Sequence, residues 1–413
     1  MISASSGLAA CLGLLGVEEV GYGVPPEAGL DATAPTDAAP DGSACANGSE
    51  LCGAECVDLK VNVSHCGACG RTCATCEQGQ CQPEVVAFVS GKPEGQPEQT
   101  YGVAVDDQNL YFTTIPPCGE ATPECNAPGR VLYKDKRRVG DPPSPIAERQ
   151  SWPEPLVAFG GRVYWGSWSA EDGGVRSAQV ALGAPSPPVT HFGCSNCNLY
   201  AMAISRASGG PDLFASQYDR AILAIDLRAD AGPTDAGGAV VGVENKDGGQ
   251  PELRRVAVDA TRVYWTVTAS GVGELRAMAR GKVASGTGGP TDVMTLGRLG
   301  GTADGIALDD QYVYVASRAG VVVRVPKTGG EPQSLAGGLS GTRTIVVDGD
   351  AVYVAGHDAG KVYALVRRGD AWTTITLARG VGAPQDVTFD AEYVYFTGGT
   401  DAKVYRVRKP LVK

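Results

Sequence analysis

Few residue types in this chain could carry out catalysis, because it has only three histidines: His65, His191 and His357. His357 is followed by Asp358, and Asp401 is a further carboxylate. We expect all three residues in loops on one face of the folded domain. Imidazole and carboxylate groups that converge to about 2.0–2.6 Å from a shared point could hold a catalytic metal. No GxSxG, HExxH or P-loop motif stands in a suitable context, so no catalytic residue and no metal ligand is assigned. A metal-dependent hydrolase or lyase is therefore the alternative function rather than the first.

Aromatic and charged residues in loops favour a binding function instead. Binding residues often lie in loops on a rigid scaffold, and exposed Trp and Tyr side chains are common anchors for protein or sugar partners. We predict a non-catalytic module that binds a protein or carbohydrate and needs no cofactor. Its predicted binding residues are Trp152, Trp168, Asp172, His191, Tyr218, His357 and Asp358.

The element that must position these residues is a phrase that recurs seven times. Each copy is a short apolar strand, usually a turn with an aspartate, and a second strand with an aromatic or apolar pair. The copies begin at Tyr101, Pro155, Tyr200, Arg254, Asp304, Arg343 and Gln385. Repetition of a β unit every 40–50 residues, roughly, predicts a β-propeller. The third copy matches least well, so six blades are the alternative to seven.

Counting strands predicts how the ring closes. A third strand follows every phrase and a fourth strand follows six of them, whereas the seventh phrase has none before Lys413. A matching strand at 85–91 precedes the first phrase instead. We predict that this N-terminal strand completes the last blade, which removes an open sheet edge. The expected fold is all-β, with a seven-bladed propeller over 83–413.

The phrases VDATRVYWTV and LDDQYVYVAS resemble the YWTD and NHL groups of β-propeller repeats, over roughly 84–413. The resemblance implies that first strands line a central channel and that the tyrosines of the second strands pack between blades: Tyr111, Tyr164, Tyr264, Tyr314, Tyr353 and Tyr395. The aspartates would order the turns, since an Asp side chain can bond to backbone two residues on. They are Asp106, Asp259, Asp309, Asp348 and Asp390. A metal-binding ring of these aspartates is the alternative, and Gly160 and Ser205 interrupt it.

Thirteen cysteines point to an oxidising compartment, because twelve of them cluster in even-numbered groups. The expected disulfide cysteines are Cys45, Cys52, Cys56, Cys66, Cys69, Cys73, Cys76, Cys81, Cys118, Cys125, Cys194 and Cys197. Zinc is the rival for the CxxC pairs at 66–69 and 73–76, but a zinc ribbon leaves about 15–20 residues between its pairs. The pairing stays open.

The remaining cysteine, Cys11, ends the tetrapeptide Leu-Ala-Ala-Cys, which resembles a bacterial lipobox. The cysteine-rich segment 45–82 also resembles a repeat of myxobacterial surface proteins, through the pieces CVD, HCGACG and GQC. Between them, 17–44 is rich in Ala, Pro and Asp and is expected to be a disordered tether. The resemblances imply a lipoprotein of the bacterial envelope, outer-membrane or periplasm-facing, or a surface or secreted protein, with its lipid anchor in 1–16.

The net charge and the hydropathy of the chain limit the classes of partner that it can bind. The formal net charge of −11 argues against a nucleic-acid partner, which needs a basic surface. No run of 18 apolar residues occurs, so membrane attachment is expected through the lipid alone. We expect the protein to be a monomer.

Overall fold

The computed structural model describes a defined part of the chain: residues 45, 48–89, 98–115, 128–167, 173–181, 183–194, 199–205, 213–217, 221–227, 239–242, 252–269 and 271–410. Several predicted features lie outside the described residues: Cys11, the tether, Cys118, Cys125, Trp168, Asp172, Cys197 and Tyr218.

The cysteine-rich segment contributes two short antiparallel hairpins. They are β1 (Glu50–Cys52) with β2 (Glu55–Val57), and β3 (Cys76–Glu77) with β4 (Gln80–Cys81). The next strand, β5 (Glu84–Phe88), belongs to the propeller.

Seven antiparallel sheets form the blades, and their strands follow one another outward from the centre. Blade 1 comprises β6 (Gln99–Val105), β7 (Asn109–Ile115), β8 (Gly129–Asp135) and β9 (Ser144–Gln150). Blade 2 comprises β10 (Leu156–Phe159), β11 (Arg162–Ser167), β12 (Gly173–Ala181), a short β13 (Ala184–Pro185) and β14 (Val189–Cys194). Blade 3 comprises β15 (Leu199–Ile204), β16 (Leu213–Gln217), β17 (Ala221–Ile225) and β18 (Ala239–Gly242).

The second half of the ring is more regular. Blade 4 comprises β19 (Glu252–Val258), β20 (Arg262–Ala269), β21 (Val272–Ala279) and β22 (Met294–Leu299). Blade 5 comprises β23 (Ala303–Leu308), β24 (Tyr312–Ser317), β25 (Val321–Pro326) and β26 (Gln333–Ala336). Blade 6 comprises β27 (Thr342–Asp348), β28 (Ala351–Gly356), β29 (Lys361–Arg368) and β30 (Ala371–Arg379). Blade 7 comprises β31 (Val387–Phe389), β32 (Tyr393–Thr397), β33 (Lys403–Arg408) and β5.

Within the described ranges helices are minor, and they include α1 (Arg280–Ala284) and the 3₁₀ turns Pro290–Asp292 and Gly399–Asp401. In the described part of the chain, no helix has both the length and the apolar character that a membrane crossing requires.

The predicted closure of the ring is confirmed. β5 pairs antiparallel with β33, so that Ala87 lies opposite Val404 and Phe88 opposite Lys403. The chain therefore joins its first propeller strand to its last, and no blade is left with three strands. The weakly matching third phrase also forms a full blade, so the count is seven and the six-bladed alternative is wrong.

The core consists of seven clusters, each between neighbouring blades. In one of them Tyr111 of blade 1 packs with Val163 and Trp165 of blade 2. All six predicted tyrosines are buried, with 5% exposure or less. Between blades 3 and 4, Phe214 is the second-strand aromatic. Flat aromatic side chains fill the wedge-shaped space between adjacent blades. Burial of the second-strand aromatic residue in each blade therefore stabilises the whole propeller.

The aspartates of the phrase order the turn between the first and second strands, as predicted, and we call them the bracket aspartates. Asp259 Oδ1 accepts the backbone N–H groups of Thr261 and Arg262 at 2.8 Å, while Oδ2 accepts the Tyr264 hydroxyl at 2.9 Å. Lys327 of blade 5 donates to the same Oδ2 at 2.8 Å. Burial alone would raise the pKa of Asp259, but these hydrogen bonds outweigh it and hold the pKa below its usual range.

The other brackets repeat this design with small variations. Asp106, Asp309 and Asp390 also accept a backbone N–H two residues on and a tyrosine hydroxyl five residues on. Asp348 accepts Tyr353 at 3.3 Å and pairs with Lys409 at 2.6 Å. The carboxylates are therefore engaged within the turns and with neighbouring blades.

All eight cysteines of 45–81 are in disulfides, so the disulfide prediction is confirmed there. Three pairs are Cys52–Cys69, Cys66–Cys76 and Cys73–Cys81. Cys194 of blade 2 is also disulfide-bonded.

The cysteine-rich segment packs against blades 6 and 7. Cys66, Cys76 and Cys81 share a core cluster with Leu377 and Val407 of those blades. Polar contacts support the same interface, since Arg71 donates to the Lys409 carbonyl at 3.3 Å and Arg408 donates to the Thr72 carbonyl at 3.0 Å. The segment therefore has a built interface with the blades beside the ring closure.

Candidate functional site

A cavity of about 260 Å³ occupies the central channel, lined by residues of the seven first strands. Because each blade is antiparallel, all first strands begin at the same face, together with the loops that join second to third strands. We call this the upper face. The aspartate turns lie on the opposite, lower face.

Three charged side chains line this cavity: Glu154 before β10, Arg255 in β19 and Asp386 before β31. Most of the other lining residues are aliphatic, such as Val103, Leu156, Ile306, Ile345 and Val387. We call the three charged residues the channel triad. They come from blades 2, 4 and 7, and 232 positions of sequence separate Glu154 from Asp386 (386 minus 154). Closure of the ring brings them to one cavity.

Arg255 has an unusual environment for a guanidinium. Among the described residues it has no side-chain hydrogen bond and no ion pair within 4.0 Å, and its Nε atom is buried without a partner. Its Cζ atom lies 5.2 Å from the centre of the Tyr200 ring. Burial would lower the pKa of Arg255, but Tyr200, Asp386 and Glu154 outweigh it, so the group stays charged.

Burial acts on both carboxylates of the triad in the opposite sense. It raises the pKa of Glu154, against the opposing charges of Arg255 and Arg343. It likewise raises the pKa of Asp386, against Arg255 and against hydrogen bonds to the carboxylate. Asp386 accepts the backbone N–H groups of Val103 and Val387, each at 3.0 Å. Buried acids with raised pKa values in a concave site are typical of functional sites.

An ion-pair network surrounds the mouth of the channel at the upper face. Asp304, with a side chain only 2% exposed, pairs with Arg318 at 2.5 Å and with Arg254 at 3.4 Å. Arg254 also pairs with Glu252 at 2.5 Å and donates to the Tyr200 hydroxyl at 3.1 Å. This network joins the first strands of blades 3, 4 and 5.

Arg343 extends the polar mouth to blades 1, 6 and 7. Its guanidinium donates to the Tyr101 hydroxyl at 3.0 Å and to the Gln385 side-chain carbonyl. Burial is the main reason that the pKa of Tyr101 is raised, so its hydroxyl stays protonated. We call the residues Tyr101, Tyr200, Arg254, Asp304, Arg318, Arg343 and Gln385 the mouth network.

Of the predicted binding residues, Trp152 belongs to this mouth. Its ring meets Tyr101 edge-on, with 6.4 Å between ring centres, and its indole partly opposes the rise in the pKa of Glu154 that burial causes. Trp152 has φ 42°, a left-handed conformation that costs a bulky residue about 1–3 kcal/mol. Such strain persists where surrounding structure imposes it, often at binding sites.

His357 and Asp358 also lie at the upper face. His357 Nδ1 is 2.7 Å from Asp358 Oδ1, and burial lowers the pKa of His357. Asp401 lies in the corresponding loop of blade 7, between β32 and β33, but its carboxylate does not complete a metal site with them. Its carboxylate instead accepts the Tyr405 hydroxyl at 2.6 Å and the Lys403 N–H at 3.1 Å. In the described part of the chain, no set of three possible metal ligands includes any of these residues.

His191 lies elsewhere, because the fourth strand of blade 2 includes it. Its Nε2 atom is 2.7 Å from Ser177 Oγ, and its ring is 5.7 Å from that of Tyr164. The histidine therefore contacts the blade rather than the channel. The channel triad and most of the mouth network were not predicted from the sequence, although all of these residues except Arg318 lie at or near the start of a first strand.

The fold places the chain among the β-propellers. No protein-family model matches it, and no curated protein matches its sequence. Virginiamycin B lyase from Staphylococcus aureus, a catalytically inactive form with quinupristin, is 12% identical, with a TM-score of 0.55 over 80% of this chain and 99% of the lyase. The WD40 propeller domain of Doa1 is 11% identical, with a TM-score of 0.55 over 79% of this chain and 97% of that domain. At these identities, the likeness concerns the fold alone.

Proposed function

We propose that this protein is a non-catalytic binding module of the bacterial envelope or cell surface, and that its partner binds at the mouth of the propeller channel on the upper face. The observation that carries the proposal is the mouth network. Charged, amide and aromatic side chains from blades 1, 3, 4, 5, 6 and 7 converge there around a cavity.

The upper face combines accessible charge with buried polar groups that the fold already positions. On the lower face the turn carboxylates accept backbone, tyrosine and lysine donors of the fold itself. On the upper face several charged side chains keep an accessible portion: Arg318 and Glu252 are each 41% exposed, and Asp358 is 63% exposed. Accessible charge around buried, already positioned partners favours specific recognition, because little side-chain ordering remains to be lost on binding.

The proposed location rests on the cysteine chemistry. Disulfides persist in oxidising compartments, and those of 45–81 support a protein outside the cytoplasm. The lipobox-like Cys11 and the resemblance to myxobacterial surface proteins extend this proposal to a lipoprotein. A protein or a carbohydrate is the proposed partner, since Trp152, Tyr101 and Tyr200 offer aromatic surface beside charge.

Cross-linking capture from cell envelopes tests the proposal, with the full chain in its disulfide-bonded form as bait. The mouth variant is Trp152→Ala/Asp358→Ala. The matched control on the lower face is Asp350→Ala/Glu392→Ala, which removes two side chains that are each 62% exposed. Thermal unfolding first establishes that both variants are folded.

We expect the parent and the control to recover the same partner, and the mouth variant to lose it. Equal recovery by both variants would place the contact outside the upper face and overturn the proposal.

A further inference from the structure

We infer that the channel itself is a binding site for a small zwitterion, whose carboxylate binds Arg255 and whose ammonium group lies near Glu154 and Asp386. This inference goes beyond the partner surface, because the channel triad lines the cavity rather than the exposed rim.

Arg255 supplies the first argument. A guanidinium carries five N–H donors in a planar fork, and a carboxylate is the ligand that matches two of them at once. Among the described residues none of these donors has an acceptor, whereas the neighbouring Arg254 and Arg343 are both hydrogen-bonded. A charged group held in the channel without an acceptor is a group whose partner comes from outside the chain.

The two carboxylates supply the second argument. Arg255 is the cation that does most to lower the pKa of both Glu154 and Asp386, yet within the described structure it forms no ion pair of 4.0 Å or less with either. Space therefore separates the cation from both acids. A ligand that bears both charges would fill it and satisfy both sides.

The balance of charge favours a zwitterion over a simple anion. The cavity wall carries one cation and two carboxylates, so an anion alone would add a third negative charge beside Glu154 and Asp386. An ammonium group supplies the counter-charge instead. The aliphatic remainder of the wall suits an apolar side chain, and a volume of about 260 Å³ suits a free aliphatic amino acid.

Isothermal titration of the full, disulfide-bonded chain at pH 7 tests the inference, with L-alanine, L-valine and L-leucine as probes. Leucinamide lacks the carboxylate, and 4-methylpentanoate lacks the ammonium group. We expect saturable one-to-one binding of at least one amino acid, and at least tenfold weaker binding of both leucine analogues. If no amino acid binds, the triad is held by water alone and the inference is wrong.

Variants locate the site. Arg255→Gln should weaken amino-acid binding at least tenfold, whereas Arg298→Gln, which removes an 80% exposed arginine of the same blade, should leave it unchanged. Arg255→Lys keeps the charge without the fork and is used if Arg255→Gln does not fold. It should also weaken binding, but less. Equal binding by parent and Arg255 variants would overturn the inference. Partner capture by the mouth is measured separately, so either proposal can fail alone.

Discussion

Replacement of Asp259 by asparagine should destabilise the protein at neutral pH but not in acid. Asparagine keeps an oxygen for the turn donors, but it places an amide where Oδ2 accepts Tyr264 and Lys327. The Lys327 contact, which joins blade 4 to blade 5, is then lost. A hydrogen bond to a charged group contributes about 1.5–3 kcal/mol. The pair is partly exposed, with 16% and 23% for the two side chains, so we expect a loss of about 2 kcal/mol.

The pH dependence follows from the depressed pKa of Asp259. A carboxyl group whose pKa is lower in the folded state stabilises the fold fully above its unfolded pKa of about 4. That contribution disappears as the pH falls through the lower folded value. In sufficiently strong acid the parent carboxyl is protonated as well, so parent and Asp259→Asn converge in stability.

Urea unfolding, followed by tryptophan fluorescence and circular dichroism at several pH values, measures this difference. Asp310→Asn is the control, because Asp310 is an exposed residue of the equivalent turn in blade 5. It should change the midpoint very little. A destabilisation by Asp259→Asn that is the same at pH 7 and in strong acid would refute the bracket as an ionic contact.

Three further predictions concern the ring and its closure. Val86→Asp places a charge in the closing strand at a site 2% exposed and should destabilise by several kcal/mol or prevent folding, whereas Val85→Asp, at 41% exposure, should be nearly neutral in thermal unfolding. Trp165→Phe should cost about 1 kcal/mol more than Trp265→Phe in urea unfolding, because Trp165 Nε1 donates to Gln150 at 2.9 Å and Trp265 Nε1 has no partner among the described residues; equal losses would contradict this. Cys66→Ser/Cys76→Ser should destabilise by about 2–4 kcal/mol in the same assay, and no loss would show that the segment does not support blades 6 and 7.

The architecture could be predicted because the same local sequence pattern recurs in every blade. The number of blades follows from the number of copies of the phrase, and the resemblance to propeller repeats implies the buried tyrosines. The turn position of the aspartates within each copy indicates their structural role. Closure by β5 follows from counting strands. The disulfide pairing could not be predicted, since eight clustered cysteines allow many pairings and only the folded segment selects one.

The channel triad could not be recognised from one copy of the phrase. Glu154, Arg255 and Asp386 are ordinary charged residues in sequence, and they meet only because the ring closes. A signal nonetheless exists. Five residues before the bracket position, six of the seven copies carry a polar or aromatic polar side chain: Tyr101, Tyr200, Arg254, Asp304, Arg343 and Gln385. Alignment of the copies at that position would have directed attention to the channel rather than to the loops.

His191 is the converse case, because it is a predicted binding residue that lies away from the channel mouth. The sequence predicts His191 among the binding residues of the loop-rich face, but its side chain contacts Ser177 and Tyr164 within blade 2, where strand β14 extends from Val189 to Cys194. A register shift between Val175 and Arg176 accompanies this pairing. Such a bulge depends on contacts across the sheet, which the sequence of one strand does not reveal.

Hydrogen exchange of the protein with and without its captured partner tests the central claim most directly. We expect slower exchange at the beginnings of the first strands, in 252–256, 303–306 and 342–345, and no change in the bracket turns 259–262, 309–312 and 390–393. Protection confined to the bracket turns or to the cysteine-rich segment would contradict binding at the mouth of the channel.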